Sequence, residues 1–113
     1  MKKIITVLFC ALISLNAVAA GNIAAGKALA EKYSCAACHG ADFSTAIDPS
    51  YPKLAGQHKD YLEHALMAYK RPDGANGRNN AIMGGQVKPL SSQDMKDLAA
   101  YLSSLPGKLV TQR

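Results

Sequence analysis

The sequence predicts an all-α domain: three main helices joined by long loops. Apolar residues recur at helical spacing in three separate stretches, and downstream of residue 20 no stretch alternates convincingly as a strand. The two segments between the helical stretches are rich in Gly, Asn, Asp and Pro, the residues of turns and irregular chain. Loops that long in a small domain usually have work to do.

The chain of 113 residues opens on a segment that does not belong to this domain. Met1-Lys2-Lys3 is a basic start, residues 4–15 are almost unbroken apolar, and Ala17-Val18-Ala19 is a small-residue cleavage signal. The apolar run is short for a membrane span. Residues 1–20 are therefore expected to be a secretory signal peptide, cut after Ala19 or Ala20 and taking Cys10 with it. Residues 21–113 are expected to form the domain.

The first helix is expected over residues 23–34. Asn22 is a fair N-cap, and Ala24, Ala25, Ala28, Leu29 and Ala30 favour helix. The second is expected over 59–70, with Leu62, Ala65, Leu66 and Tyr69 as its apolar stripe and Pro72-Asp73-Gly74 as its stop. The third is expected over 92–104. Ser91 and Asp94 resemble a capping box, Leu90 and Met95 a hydrophobic staple, and Met95, Leu98, Leu102 and Leu105 make the stripe. Residues 40–56 read as loop with a short turn of helix at most, and residues 73–89 as a second loop.

Between the first helix and the first loop stands Cys35-Ala36-Ala37-Cys38-His39. Two cysteines three positions apart can each form a thioether to a haem vinyl group, and the histidine after them can bind the iron. A redox dithiol would not need His39, and a zinc site would need further ligands near by. One covalently attached haem c, held through Cys35 and Cys38, is thus the expected cofactor. It would also supply buried apolar mass to a domain that has one Phe, no Trp and only about 93 residues after cleavage.

The second axial ligand is open among Met67, Met83, Met95, His58 and His64. Met95 lies on the stripe of the third helix and Met67 beside that of the second, so packing accounts for both. His58 and His64 read as surface residues. Met83 sits in Asn79-Asn80-Ala81-Ile82-Met83-Gly84-Gly85, read as a loop without helical period, where the glycines would let backbone approach the porphyrin. Met83 is the expected ligand. A thioether is a soft neutral donor that favours Fe(II) and raises the reduction potential. A labile Met83 bond would instead open the iron to a gas or peroxide, making a sensor or weak peroxidase.

Lys2 and Lys3 supply two of the five net positive charges, so the domain itself is only mildly basic. Its basic residues are scattered and not interleaved with aromatics, which gives nucleic-acid binding little support. A loosely basic face suits brief docking on an acidic partner, with Lys53 and Lys88 as candidate contacts.

Taken together, Cys35-Ala36-Ala37-Cys38-His39-Gly40, Pro52-Lys53-Leu54-Ala55-Gly56-Gln57 and Ala81-Ile82-Met83-Gly84-Gly85 resemble a class I c-type cytochrome. More narrowly, the chain is similar to one domain of the c-four type bacterial periplasmic cytochromes, which are often built from two such domains. The resemblance implies the small cytochrome c fold, with thioethers at Cys35 and Cys38, His39 as proximal ligand and Met83 as distal ligand. It implies that the Pro52 carbonyl accepts a hydrogen bond from His39, and that the first and last helices cross at Gly26 and Tyr101. It also implies a periplasmic carrier, not an enzyme, passing single electrons between redox proteins such as a quinol-oxidising complex and a terminal oxidase or periplasmic reductase. A role as the dedicated subunit of one enzyme is the other reading. Two-domain members carry two haem motifs and this chain has one, so a monomer or a homodimer is expected. Gln57, Tyr61 and Arg78 are candidates for contacts to the haem propionates.

Overall fold

A computed structural model of the protein describes residues 20–108. The expected leader therefore lies outside the described residues, apart from Ala20. Five helices follow in order: α1 (Ile23–Lys32), α2 (Ala36–His39), α3 (Lys59–Lys70), α4 (Ala81–Val87) and α5 (Ser92–Ser104). Among the described residues there is no strand, so the fold is all-α as expected.

Helix α1 starts at Asn22, whose Oδ1 accepts from the Ala25 amide at 2.9 Å. It stops two residues earlier than its composition suggests. The Cys35 amide donates to the Ala30 carbonyl at 3.0 Å and the Ser34 amide to Glu31 at 3.2 Å. This is a Schellman close, with Ser34 in the left-handed position (φ 53°) that glycine usually takes. Helix α2 begins immediately after it. It is too short for any apolar period to show in the sequence, and Gly40 (φ 89°) ends it. A Cβ on Gly40 would lie 2.0 Å from the Thr45 carbonyl oxygen, so the glycine is required twice over.

Helices α1 and α5 cross in close contact. A Cβ added to Gly26 would sit 2.0 Å from the Asp97 carbonyl oxygen and 2.7 Å from the Tyr101 Cβ. Only glycine lets the two backbones approach so far. Asp97, buried in this interface, accepts from the Asn22 amide at 2.7 Å and from Gln93 Nε2 at 2.9 Å. Its carboxylate stands at the amino end of α1, where the helix dipole favours negative charge.

Helix α5 carries the capping box: Ser91 Oγ accepts from the Asp94 amide, and the Asp94 carboxylate accepts from the Ser91 amide. Met95, Leu98, Ala99 and Leu102 on α5 join Ala30, Phe43, Ala55, Leu62, Val87 and Leu90 in one core. Leu90 and Met95 are thus buried in the same cluster, as a hydrophobic staple requires. Phe43, itself at positive φ, anchors the first loop. Its carbonyl accepts from Leu54 and Ala55, and its ring meets Tyr101 edge-on at 6.1 Å.

The segment around Met83 corrects the sequence reading. It is not a loop: Asn79-Asn80 leads into the two-turn helix α4, and Met83 lies on it. Asn80 Oδ1 accepts from the Met83 amide at 3.0 Å, and Gly84 bonds back to the Asn80 carbonyl. Two adjacent glycines inside a seven-residue helix hid the pattern, because each lowers intrinsic helix propensity by about 1 kcal/mol relative to Ala. The cap and the tertiary contacts with α3 override that.

Candidate functional site

A cleft of about 310 Å³ opens between α3, α5 and the two long loops. Leu62, Ala65, Leu66 and Tyr69, the predicted stripe of α3, form one wall together with Tyr61, and Leu102 of α5 and Leu54 of the first loop add further apolar surface. The α3 stripe thus faces the cleft as well as the core. His39 and Met83 both line it, as do Ser50, Pro52, Lys53, Gln57 and Arg78.

The spacing i, i+3, i+4 places Cys35, Cys38 and His39 on one side of the single turn α2. His39 is buried, and its Nδ1 lies 3.0 Å from the Pro52 carbonyl oxygen. A carbonyl only accepts, so Nδ1 carries the ring proton and donates it there. Nε2 is left with its lone pair, and the ring is held in one orientation, the arrangement that makes histidine a directed metal ligand. The Tyr51 ring lies 6.2 Å from it, tilted by 48°.

Cys35 and Cys38 are free thiols, each half-buried. Burial pushes the Cys35 thiol up from its ordinary value, with proximity to Cys38 adding to the shift. A redox dithiol needs the opposite, a thiolate stabilised near neutral pH. For zinc, no group of three or more His, Cys, Asp or Glu side chains among the described residues stands close enough to hold an ion.

The other candidate ligands lie elsewhere. Met95 is in the core and Met67 packs against it, while His58 and His64 are exposed. Of the described histidines and methionines, His39 and Met83 are the two that line the cleft. Gln57 and Tyr61 line it as well, though the Gln57 amide donates to the Lys53 carbonyl of its own turn at 3.3 Å.

Arg78 reaches the cleft from the second loop. Its guanidinium carbon lies 5.5 Å from the Tyr61 ring centroid and 5.5 Å from that of Tyr69, and Nη2 donates to the Tyr61 hydroxyl at 3.2 Å. Hydrogen bonding to Tyr61 and then Tyr69 holds the guanidinium still more firmly protonated. Tyr69 had shown in the sequence only as part of an apolar stripe. The lining contains two cations, Lys53 and Arg78, and no Asp or Glu. Apolar walls, a directed neutral nitrogen, a thioether and cations without acidic partners fit a flat iron porphyrin that carries carboxylates.

Residues 23–106 match the family model described as Cytochrome c. The chain is 40% identical over 116 residues to cytochrome c4 of Stutzerimonas stutzeri, an alignment that takes in 96% of this chain and 53% of that protein. It is 44% identical over 87 residues to cytochrome c-554(548) of Halomonas halodenitrificans, covering 75% of this chain and 98% of the relative. A third relative, 45% identical over 75 residues (66% of this chain, 33% of the relative), is the thiosulfate dehydrogenase electron acceptor of Thiomonas intermedia. Among solved structures, reduced recombinant cytochrome c4 from Pseudomonas stutzeri superposes with a TM-score of 0.68 at 41% identity, over 80% of this chain and 48% of that one. The chain spans about half the length of the cytochrome c4 proteins it matches. On sequence and fold together it belongs to the cytochrome c family, with Cys35 and Cys38 as the pair through which that family binds haem c covalently.

Proposed function

We propose that this chain is an exported single-electron carrier whose iron is held by His39 and Met83. One observation carries the reading: those two residues line one apolar cleft, and the alternative histidines and methionines do not. Haem c, when bound, supplies a one-electron Fe(III)/Fe(II) couple. The residues here tune and protect it. Pro52 orients His39 and, by accepting a hydrogen bond from its Nδ1–H, increases the basicity of Nε2. Met83 supplies a soft donor from a helix fixed by the Asn80 cap, which favours the reduced state. Leu54, Leu62, Leu66 and Leu102 exclude water, so a change of charge at the iron disturbs little solvent. Two protein ligands leave no position for substrate, which supports a carrier rather than an enzyme.

Residues 1–20 serve as the signal peptide in this reading, and the domain works in the periplasm. Its partners are redox proteins: a quinol-oxidising complex as donor, and a terminal oxidase or periplasmic reductase as acceptor. The Thiomonas relative, named an electron acceptor, supports the general role. Lys53 and Lys88 are both exposed and available for brief docking.

The test is the optical spectrum of the oxidised holoprotein. Wild type should show the weak long-wavelength charge-transfer band of methionine sulfur on ferric haem, and Met83→Ala should lose it while the haem stays covalently attached. A wild type without the band, binding carbon monoxide rapidly once reduced, would overturn the Met83 assignment in favour of an open iron.

A further inference from the structure

The helix that carries Met83 is held mainly from outside itself. Seven residues make a helix too short to stand alone, and Gly84 and Gly85 weaken it further. Packing does not call for both glycines. A Cβ on Gly84 would make ordinary contact with the Tyr69 carbonyl oxygen at 3.8 Å, one on Gly85 would meet nothing within 4 Å, and neither residue has a positive φ. The amino end of α4 has its Asn80 cap. The carboxyl end depends on Leu90, because Pro89 has no amide to give. The Leu90 amide donates to the Val87 carbonyl at 3.0 Å. Leu90 is itself buried, and among the described residues no backbone amide donates to its carbonyl. The donor that carbonyl receives is Lys70 Nζ, from the last residue of α3.

We propose that Lys70 is the positioning residue for the axial thioether: by tying Leu90 to the end of α3 it holds α4, and with it Met83, at the iron. The inference rests on Met83 being the distal ligand. The sulfur stays in place only while its helix does, and the tie closes α4 onto α3, the helix that walls the cleft. Removing the ammonium strands the carbonyl of a buried residue and frees the joint between α4 and α5. Gly85 works the other way. It stands two residues, about 200°, round the helix from Met83. It is exposed and does not line the cleft, so a methyl group there points away from the site and stiffens α4 without touching it. Substitutions at the two positions should therefore shift the hold on Met83 in opposite directions.

The experiment titrates the oxidised full chain, matured as a covalent haem protein, with imidazole. Imidazole displaces a thioether from ferric iron: the iron–sulfur bond breaks as an iron–nitrogen bond forms, with no change of oxidation state. Its apparent affinity is read from the loss of the sulfur charge-transfer band. Lys70→Met should raise that affinity about five-fold, the weight of one net hydrogen bond. Lys70→Arg keeps a charged donor and should stay close to wild type. Lys59→Met removes the same charge at the other end of α3 and should also stay there. Gly85→Ala should lower the affinity about two- to five-fold. Wild-type affinity in Lys70→Met, or an equal rise in Lys70→Arg or Lys59→Met, overturns the proposal. Should Lys70→Met fail to mature, an unmoved or raised affinity in Gly85→Ala overturns it equally. Failure of the underlying reading appears differently, as a Met83→Ala protein that binds imidazole no more tightly than wild type.

Discussion

Substituting Gly26 by Ala tests whether the α1–α5 crossing depends on backbone contact. The new Cβ would lie 2.0 Å from the Asp97 carbonyl oxygen and 2.6 Å from its carbon, and backbone there cannot swing aside. A normal C···O approach is about 3.3 Å, so the helices must separate by about 1.3 Å at this point. Gaps of that size forfeit a large part of the dispersion attraction across a contact. Overpacking of this kind costs up to about 3 kcal/mol, and replacing a helical Gly by Ala returns about 1 kcal/mol. The expected net loss is therefore about 2 kcal/mol, a fall in Tm of about 8–16 °C for a domain of this size. Thermal and urea unfolding of the holoprotein, followed by far-ultraviolet circular dichroism, measures it. Ala28→Gly, on the exposed face of the same helix, calibrates the propensity term at about 1 kcal/mol of destabilisation. A Gly26→Ala protein as stable as wild type, or more stable, would refute the argument, since it would mean that the crossing tolerates a methyl group.

Substitutions at two further residues test electrostatic contacts of the frame. Asp97→Ala should cost about 1.5–3 kcal/mol in urea unfolding, because the buried carboxylate accepts two hydrogen bonds and its loss strands the Asn22 amide. Asp97→Asn should cost less, since it retains one acceptor, and equal losses would count against this account. Asp42 accepts from the Ser44 and Thr45 amides and from Thr45 Oγ1, and pairs with Lys108 at 3.3 Å. Those contacts, the Ser44 amide foremost, hold its carboxyl far below the usual carboxylate range. Its stabilising effect is present above the unfolded value of about 4 and is lost as pH falls toward the folded one. Asp42→Asn should therefore flatten the acid limb of the stability profile, and an unchanged limb would show that other carboxylates dominate it.

Helices α3 and α5 could be read from the sequence to the residue, because each combines a long apolar stripe with a clear start or stop. Helix α1 was legible at its start, where Asn22 caps it, but not at its end, where a serine does what glycine signals elsewhere. Helices α2 and α4 escaped for separate reasons. Four residues carry no period, and Gly84-Gly85 lowers propensity within a helix that tertiary contact sustains. At the site, the cysteine motif announced its own chemistry through local spacing. The pairing of Arg78 with Tyr61 and Tyr69 could not be seen that way. The two rings lie eight residues apart on α3, and the guanidinium returns to them across a loop whose path no local signal encodes. Asp97 was hidden likewise: an acidic residue on an otherwise apolar helix face reads as exposed until α1 is laid across it.

The hydrogen bond from Asn22 to Asp97 joins residues 75 positions apart. Bringing two such points of a flexible chain together costs about 4 kcal/mol of loop-closure entropy. No single contact at the crossing offsets that cost, so α1 and α5 should dock only once the chain between them is already partly collapsed. The haem attachment turn lies just beyond α1, on the early side of that long interval. Chain collapse around the attached ring would shorten the effective loop before the helices meet. The crossing is thus expected to be a late, cooperative step of folding, and a chain that never received its haem should find it the hardest step to complete.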